Sequence, residues 1–189
     1  MNLTLRPLIS LSIAAAAVLS LGGCSGMHRG MHGDMRGDMG PSATAQLEPT
    51  KGNTASGTVM LMQHGDHVMV HAKLSGLTPG QEHGFHLHEK GDCSSGDGTS
   101  AGPHFNPTAQ PHGPQGAAHH AGDMPSLKAD ANGQVDAMFH LTGVSLSDGP
   151  TNLIGRGVIV HAGPDDYATQ PTGNSGARIA CGVIVAAAR

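Results

Sequence analysis

The sequence predicts an all-β antiparallel sandwich or barrel, on three observations. Short runs of apolar residues alternate with polar ones, Gly- and Pro-rich turns separate them, and no helical period is sustained past Pro41. With 189 residues there is material for one domain of roughly 100–200 residues. One Tyr, three Phe and no Trp leave Val, Ile, Leu, Met and Ala to fill its core. A formal charge of −4 with only ten Lys plus Arg argues against a nucleic-acid partner, because no basic run is present to neutralise phosphates. The outlying number is fourteen histidines, more than packing needs, and imidazole is the commonest side-chain ligand for zinc and copper.

The chain opens on a targeting segment. Arg6 precedes an apolar run from Leu8 to Leu21, about 14 residues, too short to span a bilayer and of the length of a signal-peptide core. Leu21-Gly22-Gly23-Cys24 then resembles the bacterial lipobox. Residues 1–23 are therefore expected to be removed, and Cys24 to carry a lipid that anchors the exported protein on the periplasmic side of a bacterial membrane. The mature chain has 189 − 23 = 166 residues and, having lost only the charge of Arg6, stands at −5. With Cys24 lipidated, Cys93 and Cys181 remain as an even pair able to close one disulfide in an oxidising compartment.

Residues 24–41 read as a tether. Met27, Met31, Met35 and Met39 recur every four residues, with His28 and His32 beside the first two. Repeats this short build no core, and a Gly in nearly every unit disfavours helix, so the segment is expected to be flexible. Thioethers beside imidazoles are also the donor set that favours Cu(I), which makes these six residues candidate accessory copper ligands.

The domain is expected over residues 42–189. Val59, Leu61 and Gln63 alternate with Met60, Met62 and His64, a turn follows at His64-Gly65-Asp66, and alternation resumes from Val68 to Leu74, a hairpin pattern. A second hairpin is expected from Leu127 to Leu141 around Asn132-Gly133, residues that tolerate the positive φ of a tight turn. Gly157–His161 and Ile179–Ala187 read as further strands. Between them, Gly91–Pro125 is a long stretch without periodicity, which in a compact domain points to function or disorder. Cys93, His104, His112, His120 and Asp123 lie along it, so a disulfide and a metal can supply the order that a core does not.

His86 and His88, two residues apart, share one face of a strand and can reach one ion. In so His-rich a chain such a pair is also common surface decoration. His104, His112, His120 and Asp123 form a three-His, one-carboxylate set suited to a closed tetrahedral Zn2+ site, and His161 adds an imidazole at a strand end.

Five segments occur in an order that resembles the copper/zinc superoxide dismutases, over about residues 44–187. They are Gly84-Phe85-His86-Leu87-His88, Gly102-Pro103-His104-Phe105-Asn106-Pro107, His120-Ala121-Gly122-Asp123, Gly155-Arg156 through His161, and Gly176 through Ile184. The resemblance implies a Greek-key β-sandwich or flattened barrel with long metal-binding and active-site loops. It implies an enzyme that converts superoxide to dioxygen and hydrogen peroxide, with one copper and one zinc per subunit. Copper would be held by His86, His88, His104 and His161, and zinc by His104, His112, His120 and Asp123, so that His104 bridges the two. Asp165 would link His86 to His112, Arg178 would dock the anion, and Cys93 would pair with Cys181.

His120, three residues before Asp123, fits the family spacing better than its neighbour His119. Only twelve residues separate Asp165 from Arg178, none of them Lys or Arg, as in bacterial members, so no steering residue is carried over. Lys90 and Lys128 are the local cations. His64, His67, His71, His83 and His140 match no ligand position and are expected on the surface or on strand faces, and Tyr167 is expected to pack near the site. A homodimer is compatible with the sequence. The competing reading is a copper-binding or storage lipoprotein on a dismutase-like fold, with the Met/His tail as its working part. Arg178 and the complete zinc set favour catalysis over it.

Overall fold

A computed structural model describes residues 40–188. The expected signal segment, Cys24 and the Met/His residues from Met27 to Met39 lie outside the described residues. Among the described residues nine strands carry the fold: β1 (Ser42–Pro49), β2 (Ser56–His64), β3 (His67–Ser75), β4 (Glu82–His83), β5 (Phe85–His88), β6 (Leu127–Lys128), β7 (Val135–Thr142), β8 (Gly157–His161) and β9 (Arg178–Ala186). Among the described residues the only helix is a single 3-10 turn, Thr99–Ala101.

Seven strands form one antiparallel sheet in the order β5-β8-β9-β1-β2-β3-β7. β9 returns beside β1 and β7 beside β3, so the chain crosses over rather than running as a simple meander. β4 leads through Gly84 into β5 and pairs with β6. The core is built from the inward positions: Leu47, Val59, Leu61, Val68, Val70, Phe85, Leu87, Leu141, Val158, Val160 and Ile184 are all buried. Phe85 meets Phe139 edge to face, with ring centroids 6.3 Å apart.

The first expected hairpin forms as β2 and β3, in register from Ser56↔Ser75 to His64↔His67. The second does not. Its turn is present, with Gly133 at φ 71° and the Asp130 carboxylate accepting the amides of Asn132 (2.7 Å) and Gln134 (2.9 Å). Its arms, however, pair elsewhere. Val135–Thr142 makes eight registered pairs with β3, while Leu127–Lys128 is drawn to β4, helped by the Ala129 amide donating to the Gln81 carbonyl at 2.9 Å. A turn sequence reverses the chain locally but does not outweigh a long ladder with a third strand. β1 escaped the periodicity reading because Ala43 and Ala45, two of its three inward residues, add little apolar signal.

The long stretch after β5 is held by covalent and backbone bonds. Cys93 is bonded to Cys181 on β9, beside buried Ala101 and Ile159. Further along, the backbone at His104–Phe105 and Gly122–Asp123 lies against β5. Leu87 donates to the Gly122 carbonyl, Phe105 donates to the Leu87 carbonyl, and Gly122 donates to the Phe105 carbonyl, each at 2.8 Å. A Cβ at position 122 would collide with the Leu87 carbonyl and the Phe105 backbone, so only glycine permits this approach. The disulfide closes a loop of 88 residues, worth about 4–5 kcal/mol in the chain-entropy account. Replacing Cys93 and Cys181 by Ser is expected to lower unfolding free energy by about that amount in denaturant titrations, and a loss under about 1 kcal/mol would contradict the constraint.

Candidate metal centre

β5 and β8 are adjacent, and their pairing places His86 and His88 of β5 beside His161 at the end of β8. An isolated bridge between His88 and His104 brings in the fourth ring. His86 and His104 have centroids 4.0 Å apart, His86 and His161 4.9 Å, and His88 and His104 5.0 Å. All four are buried, and one ligand atom from each lies within 4.8 Å of the others. A second such group is His104, His112, His120 and Asp123, so His104 belongs to both.

Hydrogen bonding separates the two nitrogens of each ring. His86 Nε2 pairs with Asp165 Oδ2 at 2.6 Å, His88 Nδ1 donates to the Gly102 carbonyl at 2.8 Å, and His161 Nδ1 donates to the Gly176 carbonyl at 3.1 Å. The opposite nitrogens, His86 Nδ1, His88 Nε2 and His161 Nε2, are buried without a partner, as is His104 Nε2. A buried polar atom left unsatisfied costs about 1–3 kcal/mol. Four unsatisfied nitrogens in one ring cluster are what a cation-binding site presents, and an all-imidazole set suits copper or zinc.

The second group converges on Asp123. Its Oδ1 lies 2.8 Å from His104 Nδ1, 3.0 Å from His112 Nδ1 and 3.2 Å from His120 Nδ1. The His112 contact falls outside hydrogen-bond geometry, which leaves that buried nitrogen unpartnered too. Asp123 Oδ2 accepts the amides of Gly113 (3.1 Å) and His120 (2.9 Å), which fix the carboxylate. Three imidazoles and one carboxylate in so small a space fit Zn2+. The His120 ring turns toward this group, whereas His119 Nδ1 donates to the Ala117 carbonyl at 2.7 Å and points away.

Asp165 joins the groups, its Oδ2 on His86 Nε2 and its Oδ1 on His112 Nε2 at 2.9 Å. Such an outer carboxylate fixes ring orientation and tautomer. Gly173, at φ 66°, makes room for it: a Cβ there would overlap Asp165 Oδ1 and crowd His112 Nε2. Tyr167 does more than pack. Its amide donates to Asp165 Oδ1 at 2.7 Å, and its hydroxyl oxygen accepts the Ser126 amide at 2.7 Å.

Arg178 opens β9 with its guanidinium donating to the carbonyls of Gly98 (2.7 Å) and Gly102 (2.8 Å). The Gly102 carbonyl thus accepts from both Arg178 and His88. Of the local cations, Lys128 pairs with Glu82 at 3.7 Å, and the Lys90 stem lies against Gly102. Lys51, which sequence reading passed over, lines the same depression as Arg178 and Asp97. It follows β1 directly, so only the β9–β1 pairing brings it there. His83 departs from the surface or strand-face position expected for it. It is buried on β4, with Nδ1 donating to the His161 carbonyl at 2.8 Å, and its position two residues before Phe85 on the inward alternation was the available signal. His64, His67, His71 and His140 lie on the sheet face away from the core.

Comparison with known proteins agrees with this geometry. Residues 55–184 match the family model described as copper/zinc superoxide dismutase (SODC). The chain is 40% identical over 149 residues to "Superoxide dismutase [Cu-Zn] 2" of Aquifex aeolicus, covering 75% of this chain and 85% of that protein. It is 41% identical over 139 residues to "Superoxide dismutase-like protein YojM" of Bacillus subtilis, covering 69% and 70%. A crystal structure of a double mutant of a SOD-like protein from Bacillus subtilis superposes with a TM-score of 0.69 at 40% identity, covering 75% of this chain and 96% of that one.

Burial sets the protonation of the cluster. Desolvation lowers His88 to about 2, His161 to about 3 and His86 to about 4, so the rings stay neutral, the form that ligates metal. For Asp123 burial acts in the opposite sense, but the hydrogen bond with His104 and that from the Gly113 amide more than offset it, leaving the carboxyl well below its usual range. In the metal-free protein the folded state rejects protons that the unfolded chain takes up below about pH 6.5. Stability from these histidines is therefore whole above about pH 7 and falls with acidification, by up to about 1.4 kcal/mol per pH unit for each ring. The melting temperature of demetallated protein is expected to drop steadily from pH 7.5 to 4.5, and a flat profile would contradict neutral burial.

Proposed function

The chain belongs to the copper/zinc superoxide dismutase family, and from that premise we propose that it disproportionates superoxide, with the anion docking at Arg178. Two superoxide anions and two protons give one dioxygen and one hydrogen peroxide. The observation that carries the reading is the Gly102 carbonyl, which holds the Arg178 guanidinium and the His88 ring together beside four unpartnered nitrogens. A bound copper would supply the one-electron chemistry, held by His86, His88, His104 and His161. Zinc, held by His104, His112, His120 and Asp123, has no redox role and would order the loop.

The chain's own groups do the rest. Arg178 binds the anion and stabilises charge that grows as it is reduced. Burial lowers the guanidinium from its ordinary value with Asp97 opposing, yet an arginine remains a full cation at neutral pH. His104 Nε2, buried without a partner, would be the atom that takes up a proton when it is free of metal and passes it to the departing peroxide. Asp165 keeps His86 and His112 from rotating. With the mature chain at −5, attraction of an anion depends on local cations, and Lys51 and Arg178 share one depression.

A second reading is metal binding without turnover, and one relative is named only as a superoxide dismutase-like protein. Arg178 separates the two, because storage of a cation has no use for a guanidinium beside it. Changing Arg178 to Ala is expected to leave copper and zinc content unchanged and to lower the dismutation rate by about tenfold to a hundredfold in pulse radiolysis, the loss of one charge-assisted contact. A wild-type rate would sink the docking role. A negligible rate in the fully loaded wild-type protein would leave metal binding as the function.

We also propose that the protein acts outside the cytoplasm, tethered through a lipid on Cys24 with residues 24–41 as the spacer. Intact-mass analysis of membrane-extracted protein is expected to begin at Cys24 with an acyl mass, and to find C24S without it. Unmodified chain in the soluble fraction would refute the anchor.

A further inference from the structure

The outward face of β2, β3 and β7 carries an unusual set of side chains. Residues paired across antiparallel strands share a face, and their Cβ atoms lie about 4.5–5.5 Å apart. One row across the three strands is Met60↔His71↔Met138, the next is Met62↔Met69↔His140, and the third is His64↔His67↔Thr142. Eight of these nine adjacent positions are Met or His, and only Thr142 is not. The alternate positions, Val59, Leu61, Val68, Val70 and Leu141, point into the core. The chain has ten methionines, of which five lie in the described residues. Met124 is buried in the core, and the other four are all on this face.

Nothing in folding calls for this pattern. The open face of an antiparallel sheet is ordinarily polar, yet Met60 is 41% and Met138 58% exposed. The histidines show internal order. The His67 and His140 rings meet edge to face with centroids 4.9 Å apart, beside the Met62–Met69 pair. His71 Nε2 is held by Asp136 Oδ1 at 2.6 Å and His67 Nδ1 by Asp66 Oδ1 at 3.1 Å, which leaves the opposite nitrogen of each ring for a ligand.

We propose that this face binds soft monovalent copper, through thioether–imidazole sites separate from the copper/zinc centre. Thioethers are soft, uncharged donors that discriminate for Cu(I) against zinc and the hard cations, and imidazole completes a low-coordinate site. Met62, Met69, His67 and His140 make the denser group, and Met60, His71 and Met138 the second. In the sheet, β2, β3 and β7 lie at the far end from β5 and β8, which carry His86, His88 and His161. The face is therefore a distinct place for the metal to sit, and the proposal does not depend on the dismutase reading. The chain enters the sheet beside it, with the Pro41 carbonyl accepting the Gln63 amide at 2.9 Å.

The test uses the full mature chain loaded with copper and zinc, methyl-13C methionine, and Ag(I) as a redox-inert probe for Cu(I). On titration the methyl resonances of Met60, Met62, Met69 and Met138 are expected to move while that of Met124 stays. A variant with these four changed to Leu, which conserves volume, is expected to lose at least one equivalent of bound Ag(I) and to keep the copper and zinc of the centre. Should that variant fold poorly, H67Q/H140Q is expected to weaken binding at the denser group at least tenfold. Movement confined to Met27, Met31, Met35 and Met39, or full Ag(I) stoichiometry in the substituted proteins, would overturn the proposal.

Discussion

The structure turns on how a small β domain buries six imidazoles and two carboxylates in one place. An unpaired polar atom in such a setting costs more than one good apolar contact returns, so every group must be held or must face a ligand. The protein satisfies one nitrogen of each of His86, His88 and His161 from its own backbone or from Asp165, and leaves the other bare. That division of labour fixes tautomers and aims the bare nitrogens together. It also explains why the loops cannot move freely: the carbonyls of Gly102 and Gly176 that anchor His88 and His161 belong to loop segments.

Those loops contain almost no secondary structure, and their order comes from other sources. The Cys93–Cys181 bond ties the first part to β9, and the Gly98 and Gly102 carbonyls of that part position Arg178. Three backbone hydrogen bonds lay His104–Phe105 and Gly122 along β5. Asp165 then links the two histidine groups, in a space that Gly173 keeps open. A disulfide, a strand edge and a carboxylate replace the hydrophobic contacts that a polar, Gly-rich segment cannot make.

The same sheet supports two chemistries at its two ends. Around β5 and β8 the alternation opposite the core, covered by loop segments, carries buried, neutral imidazoles whose low proton affinity suits metal ligation. On β2, β3 and β7 the outward alternation carries exposed and half-buried methionines and histidines while the inward one builds the core. Because side chains alternate strictly along a strand, the core and a donor-rich surface are encoded in one segment without conflict.

Much of this was legible in the chain. The period of two over Val59–Leu74 specified the β2–β3 hairpin, and the His/Asp spacing together with the family resemblance named the residues that the fold gathers at His86, His104 and Asp123. Local pattern was enough there because alternation and donor type are properties of neighbouring residues. It failed where partners are distant. Asn132-Gly133 made its turn, but the arms paired with β3 and β4, since ladder length outweighs turn chemistry. β1 was hidden by small alanines, and Lys51 reached Arg178 only through the β9–β1 pairing. The Met/His face spans three strands, two contiguous and one far along the chain, so it exists only in the assembled register. By itself the sequence determined which atoms can bind a metal. The tertiary structure decided which of them meet and which nitrogen of each ring is left bare, because hydrogen bonds from carbonyls and carboxylates far off in the chain make that choice.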